Sequence, residues 1–530
     1  MHLLEQQQPF SQSLIWQLQR DYFTQAGINA WRTGAVPHYI TSNPIVGKTY
    51  AELVFAFLRD LSLRGQHTET VYLLELGAGH GRLCYHFFKY FETYYEHSAI
   101  PLPPFCYILS DFTEANLTFW QAHPRLQPYL DKDWLDFALF DVEHSRELSL
   151  YTAGITLEPQ SLAQPLIAIA NYFFDTIPQD LFWVKDQTLS HALISLTTDS
   201  DPSDLDTADL IDALTLQYDY EDAKPPIYAH EPNLNDLLET YRQQLVDTHL
   251  LFPHIGIRCL ERLRQLSRRG LVLLSADKGE HHSTNLDHHP PPMLATHGSF
   301  SLTVNYHAFA QCCTQQGGLA LFPRHQQASL DLGCLLLLAD GSTYQETLQA
   351  YERFVNDYGP DDYFSLKKLI EPHFATLTYR DIMGVIRLSG YDARIFLQMS
   401  ARLFEILPTL TDNQRWNLFF AIPRIWDTYY PLGESEDLAF CLGKLLIALT
   451  FYSEAILYFE KSLMIYGKTT ATLFQIALCH CLLDEFSSAL PILEELLALE
   501  PDNQDIQALI QHFHLGLQAQ CQGSGVASGN

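Results

Sequence analysis

The sequence predicts an α/β sheet carrying inserted elements, followed by an all-α helical part. Three observations predict this. Short apolar runs at 71–76, 105–109 and 165–170 have the length and character of buried parallel strands. The first run leads into "GAGHGRL", three glycines ahead of a segment with helical apolar spacing (Leu83, Phe87, Tyr90). Beyond about Ala339, strand-like runs vanish and helical periodicity continues to about residue 515.

The glycines read as a strand-to-helix turn. Gly77, Gly79 and Gly81 allow positive φ and let a ligand lie against the backbone, and the following helix start offers free N–H groups. This is a Rossmann-like arrangement, but the spacing is Gly-x-Gly-x-Gly and not the dinucleotide Gly-x-Gly-x-x-Gly. Glu75 precedes the first glycine; a carboxylate there repels a pyrophosphate and suits an ammonium or sulfonium ligand. Asp111, 30 residues after Gly81, ends the second strand, where an acidic residue can hold ribose hydroxyls. A third strand candidate, "WLDFALFDVE", ends in Asp141 and Glu143, near where such folds contact adenine; a solvated strand end is the plain alternative for Asp141. The run at 165–170 releases Asn171 and Asp175 at the carboxyl edge, where ligands collect in open α/β sheets; a helix cap and a turn before Pro178 are the structural alternative.

Composition bounds the rest. A chain of 530 residues is expected to form two or three domains, and 47% hydrophobic content supports packed cores. A net charge of −30 argues against binding a phosphate backbone, so no nucleic-acid partner is expected. No apolar run reaches the roughly 20 residues that span a bilayer. "MHLLEQQQPF" lacks the basic-then-apolar order of a secretory signal, and the ten cysteines hold no Cys-x-x-Cys pair. A cytoplasmic setting without membrane contact is the resulting expectation.

The glycine turn behind Glu75 resembles the first motif of class I S-adenosylmethionine-dependent methyltransferases. With three further stretches, the chain is similar to the MidA-like methyltransferases, whose mitochondrial members include an arginine methyltransferase that assists respiratory complex I assembly. "VPHYITSNPIVGKTYAELVFAFLRD" resembles that family's N-terminal segment and "ANYFFDTIP" its Asn-Glu-Phe-Phe-Asp-Ala-Leu-Pro. "GLVLLSADKGEHH" resembles its strand ending in Asp-Tyr-Gly, followed by "FSLTVNYHAFAQCC". The resemblance covers about residues 20 to 345 and implies a protein that binds S-adenosylmethionine. Thr41, Ser42, Gly77, Gly79, Asp111, Asn171, Phe174 and Asp175 match positions of the family pattern. Three positions depart from it: Tyr172 stands for a glutamate, His38 for an aspartate and Lys278 for the tyrosine of Asp-Tyr-Gly.

Two stretches have plain readings. Residues 199–222 hold nine acidic residues and no basic one, as expected of a solvated insertion or hairpin rim. Histidines 281, 282, 288, 289 and 297 lie in a proline-containing segment with spacing that suits no standard metal site, so an exposed loop without metal is expected. Near the C-terminus a 34-residue self-similarity aligns Gly443 with Ala477, Ala455 with Ala489, and Phe459 with Leu493. This resembles tetratricopeptide repeats.

The expected organisation is a methyltransferase domain over 1–345, a helical linker or degenerate repeats over 346–436, repeats over 437–515 and a disordered tail over 516–530. The expected activity is S-adenosylmethionine-dependent methyl transfer to a protein acceptor, an arginine side chain if the resemblance extends that far, recruited by the helical repeats. Glu75, Gly77, Gly79, Gly81, Asp111, Asp141, Thr41 and Ser42 are the expected cofactor residues, and Asp175 and Asn171 the expected catalytic ones. A non-catalytic scaffold and a small-molecule methyltransferase of specialised metabolism are the alternatives.

Overall fold

The computed structural model describes residues 1–296, 298–325, 330–504, 506–508 and 510–511. His297 and the expected tail at 516–530 lie outside the described residues. The chain forms two compact units, Met1–Lys367 and Lys368–Asn530.

The first unit is built on seven strands: β1 (Val71–Leu76), β2 (Phe105–Asp111), β3 (Leu135–Leu139), β4 (Leu166–Asn171), β5 (Leu271–Asp277), β6 (Leu319–Leu321) and β7 (Asp331–Leu337). Their order across the sheet is 3-2-1-4-5-7-6. The pairs among β1 to β5 are parallel, and β7 runs antiparallel between β5 and β6. This is the class I methyltransferase sheet that the sequence predicts. Its inner strands are buried on both faces, which explains why they read as continuous apolar runs rather than alternating ones. Strand order reverses between β1 and β4, and in open parallel sheets the crevice for a ligand opens at the carboxyl ends beside that reversal.

The inserted elements form a second, antiparallel sheet. His2–Pro9, Thr188–Thr198, Asp180–Lys185 and Asp247–Phe252 lie in that order, with Thr215–Asp222 also paired to Thr188–Thr198. The acidic stretch thus ends in a hairpin strand whose residues are mostly exposed, as its composition predicts. His281 departs from the exposed-loop reading: its ring is buried, with Nδ1 3.1 Å from Asp331.

Helices fix the crevice walls. Helix α1 (Leu14–Ala26) is capped by Ser13. Helix α2 (Pro44–Leu63) starts with a proline at its first turn and is capped by Asn43, whose Oδ1 accepts from the N–H groups of Ile45 and Val46. Helix α3 (Arg82–Glu96) follows the glycine turn. Helices α2 and α3 approach so closely that a Cβ on Gly47 would stand 2.6 Å from that of His86.

The first unit reaches beyond position 345. Helix α4 (Gln345–Tyr351) is tied to α2 by Asp60, whose buried carboxylate accepts from the N–H groups of Glu346 (3.1 Å) and Thr347 (2.8 Å) and from Thr347 Oγ1 (2.8 Å). Tyr351 donates to the Leu332 carbonyl of β7 at 2.7 Å.

Helices joined by turns make up the described residues of the second unit, with no strand among them. Helices α5 (Tyr379–Leu388), α6 (Ala393–Ile406), α7 (Asp412–Trp426), α8 (Leu438–Ala448) and α10 (Thr470–Leu482) each start from a Thr or Asp whose side chain accepts a first-turn N–H. Helices α9 (Tyr452–Tyr466) and α11 (Phe486–Leu499) complete two successive pairs, α8 with α9 and α10 with α11. Ala455, Ala477, Ala489 and Leu493 are fully buried in these pairs. A Cβ on Gly443 would stand 2.6 Å from the Phe459 ring, so a small residue is what lets α8 and α9 meet.

Truncation after Gly341 removes every hydrogen-bond partner that the Asp60 carboxylate has among the described residues, and a buried unpaired acceptor costs about 1–3 kcal/mol before lost packing is added. That truncation is expected to melt well below a chain ending at Lys367, which keeps α4; circular dichroism on both decides it.

Candidate functional site

A cavity of about 780 Å³ opens at the carboxyl ends of the parallel strands, within the range of small-molecule and cofactor sites. Gly77, Ala78, Gly79 and His80 of the β1–α3 turn line it, and Gly81, the left-handed residue at the N-cap of α3, does not. Gly77, Gly79 and Gly81 adopt φ of 59°, 54° and 76°, conformations that glycine enters without penalty. The turn is pinned from outside: Ser110 O accepts from the Ala78 N–H at 2.9 Å, and Gly79 O accepts from Trp120 Nε1 at 2.9 Å. Missing side chains also admit aromatic rings. A Cβ on Gly77 would stand 2.9 Å from Phe173, and one on Gly79 2.7 Å from Trp31, two residues that themselves line the cavity.

Glu75, at the end of β1, is 4% exposed and faces this cavity. Its Oε2 accepts from Tyr107 Oη at 2.8 Å. Burial pushes the carboxyl up to about 8, against the opposing effect of the Tyr107 hydrogen bond. The side chain is therefore a buried acid whose partner is a phenol and not a cation.

Asp111, at the end of β2, lines the cavity with both oxygens engaged. Oδ2 accepts from the Gly79 N–H (3.2 Å), and Oδ1 from Thr113 N (3.1 Å) and Oγ1 (3.2 Å). Burial raises this carboxyl, and bonds from Asn116, Thr113 and Gly79 oppose the rise. Asp111 thus positions the glycine turn.

Thr41 and Ser42 reach the cavity from the segment ahead of α2, and both are buried. Asn171, at the end of β4, knits that segment to the sheet. Its Oδ1 accepts from Tyr50 Oη of α2 (2.5 Å) and from the Ala276 N–H of β5 (3.2 Å), while Nδ2 donates to Thr41 O (3.1 Å). With its oxygen taken up this way, Asn171 is a positioning residue in the cavity wall. His38, also from that segment, lies 3.1 Å from Arg82 Nη1 and packs edge-on against His80. Burial, followed by nearby His38 and Arg82, holds His80 well below its usual value, so that ring is neutral.

Asp141 is not brought to the cavity. β3 ends at Leu139, earlier than the sequence reading placed it, and Asp141 sits in the turn beyond. Its Oδ1 accepts from the N–H groups of Glu143 and His144, and Oδ2 pairs with Arg20 at 2.7 Å. Burial works against its charge, yet the bonds from His144, Glu143 and Arg20 hold its carboxyl below the usual range.

Asp175 lines the cavity and is 3% exposed. Its side chain hydrogen-bonds that of Asp277, the fully buried last residue of β5. Asp175 Oδ1 and Asp277 Oδ2 have no hydrogen-bond donor among the described residues, and one proton between the two carboxyls would satisfy both. Burial raises both carboxyls, and for Asp277 the neighbouring Asp175 raises it further. Asp277 Oδ1 also accepts from the Lys278 N–H at 2.7 Å. Asp277 is not among the residues that the sequence singles out. The available signal was an aspartate ending an apolar run, as at Asp111.

Tyr172 lies between Asn171 and this pair with φ of 45°, a left-handed conformation that costs a bulky residue about 1–3 kcal/mol. Its N–H donates to Ala276 O at 3.1 Å, and its ring lines the cavity.

No family model and no curated protein matches the chain. Two solved structures from Burkholderia thailandensis align with it at 13% identity and a TM-score of 0.35: an uncharacterised protein, over 60% of this chain and 73% of its own, and a candidate methyl transferase of the same superfamily bound to S-adenosyl-homocysteine, over 59% and 73%. A likeness of that size adds nothing to the fold assignment, which rests on the strand order.

Proposed function

We propose that the first unit is an S-adenosylmethionine-dependent methyltransferase of the MidA-like kind, acting on a side-chain nitrogen of a protein acceptor. One observation carries this reading. Glu75 is a buried acid with no cation paired to it among the described residues, beside a glycine turn in a 3-2-1-4-5-7-6 sheet. A cationic ligand would meet that carboxyl and favour its ionised form, while the backbone turn would accommodate a flat, polar ligand body.

The residues present fit the cofactor. Glu75 would hold its ammonium end, the Gly77–Gly81 turn would face it, and Thr41 and Ser42 would close the cavity wall. Asp111 would keep the turn in register and offer its carboxylate to hydroxyls. Bound there, S-adenosylmethionine supplies an electrophilic methyl group on a sulfonium. The protein's part is then alignment and exclusion of water, for which a cavity buried beneath the N-terminal segment is suited. Asp175 and Asp277 would act on the acceptor. The pair carries one proton and one negative charge at rest, so it can hold a cationic nitrogen or take the proton that the nitrogen releases. The arginine acceptor is what the family resemblance suggests, and recruitment by the helical unit is part of this proposal.

The overall test is to incubate the protein with methyl-labelled S-adenosylmethionine and a lysate of its host. Label in a protein band supports the reading. Cofactor binding with no labelled product would favour the scaffold alternative, and label in small molecules only would favour specialised metabolism.

Three variants resolve the residues. Glu75→Gln is expected to bind S-adenosylmethionine about ten- to a hundredfold more weakly by calorimetry, since a hydrogen bond to a charged group is worth about 1.5–3 kcal/mol. The same variant is expected to melt above the wild type at pH 8. The folded pKa of Glu75 exceeds its ordinary 4.5, so the folded chain loses stability as pH rises from that value towards 8, and glutamine removes the loss. Equal binding with no gain in melting temperature would put the ligand elsewhere.

Asp175→Asn is expected to keep cofactor affinity within a few-fold while lowering methyl transfer by roughly a hundredfold or more, the scale of a lost general base. Wild-type transfer should rise with pH as the shared proton leaves, and the variant should lose that rise. Asp141→Asn should leave transfer unchanged.

A further inference from the structure

A second concave surface lies in the helical unit, between α5 and α7, with a volume of about 620 Å³. Its charge is opposite to that of the chain. The protein has 62 acidic residues against 32 Lys and Arg, yet this groove is lined by Arg380, Arg387 and Arg424 and by no Asp or Glu among the described residues. All three arginines are exposed, and Arg380 and Arg387 enter no ion pair among the described residues. Asp381, the nearest carboxylate in sequence, is committed to capping α5, where its Oδ2 accepts from Thr378 N (3.1 Å) and Oγ1 (2.6 Å).

The arginines are arranged for reading, not scattered. Arg380 and Arg387 are seven residues apart on α5, hence on one face and roughly 10 Å apart along the axis at about 1.5 Å per residue. Arg424 projects from α7, with its guanidinium stacked 3.7 Å from the Tyr391 ring centre and Nη1 donating to Tyr391 Oη at 2.6 Å. A stacked arginine keeps its remaining donors in a fixed plane, a geometry that suits carboxylates. Beside them, Phe420 is 64% exposed and lines the groove.

We propose that this groove binds an extended acidic segment of a partner protein that carries an apolar side chain between its carboxylates. An extended chain advances about 3.3 Å per residue, so acidic residues three apart match the Arg380–Arg387 separation, and Phe420 receives the apolar side chain. The groove holds three arginines and no carboxylate among the described residues, so an acidic segment complements it, whereas a second copy meeting it with the same groove would bring like charges together. This inference stands whether or not the first unit transfers methyl groups, because it rests on none of the cavity residues.

The test uses the full-length protein and a short fluorescent peptide alternating Glu-Asp pairs with Phe and Leu, read by fluorescence anisotropy. The control peptide replaces each acid with its amide. The acidic peptide is expected to bind at least tenfold more tightly than the control. The double substitution Arg380→Ala and Arg387→Ala should weaken it tenfold or more with an unchanged melting curve, and Phe420→Ala should weaken it several-fold. Rising salt should reduce the affinity. No binding of the acidic peptide, equal binding of both peptides, or undiminished binding by the double variant would each overturn the proposal. Displacement of the peptide by an equal concentration of inorganic phosphate would also overturn it, since the site would then be one for a small anion.

Discussion

A carboxyl group at the end of a buried strand is costly unless a proton, a donor or a cation meets it. The first unit places such groups at the ends of β1, β2 and β5 and one just past β4. They are met in three different ways. Asp111 spends its oxygens on backbone N–H groups and so shapes the glycine turn. Asp175 and Asp277 meet one another, and burial raises both carboxyls towards the protonated form. Glu75 meets a tyrosine, and burial keeps it largely protonated near neutrality. Glu75 alone relies on a phenol, so a cationic ligand would favour its ionised form.

The rest of the unit serves to hold these groups in register without shielding them. Asn171 links β4, β5, α2 and the segment bearing Thr41 through three hydrogen bonds, so the cavity wall and the sheet edge move together. Gly47 lets α2 lie against α3, which fixes the helix that follows the glycine turn. Tyr172 holds a strained backbone at the junction of β4 and the acidic pair. Natural proteins retain strain and buried charge of this kind chiefly where function needs them.

Much of this was legible in the sequence, and the exceptions have physical causes. Strands buried on both faces announce themselves as apolar runs, so β1, β2 and β4 and their terminal Glu75, Asp111 and Asn171 could be read directly. Glycine turns are legible for the same reason, because the backbone conformation demands the residue type. Asp141 misled because a strand's end is set by the partner strand's register; β3 pairs only as far as Leu139 opposite Asp111. Asp277 was passed over because its partner Asp175 lies about a hundred residues earlier, and only the sheet brings them together. Tyr107, Tyr50 and Trp31 could not have been chosen from pattern alone: each reads as core, and each bears on the site. The extension of the first unit past 345 was hidden by helical periodicity, which does not reveal that α4 is fastened to Asp60.

The central claim is that Glu75 waits, protonated, for a cationic ligand. Calorimetric titration of S-adenosylmethionine at about pH 7, repeated in buffers of different ionisation enthalpy, counts protons exchanged on binding. At that pH an α-amino group, with its pKa of about 7.7–8.0, is already mostly charged. The account predicts release of a proton, up to about one per ligand, with the Glu75→Gln variant releasing markedly less. Binding by the wild type with no proton release, or with the same release in the variant, would contradict it.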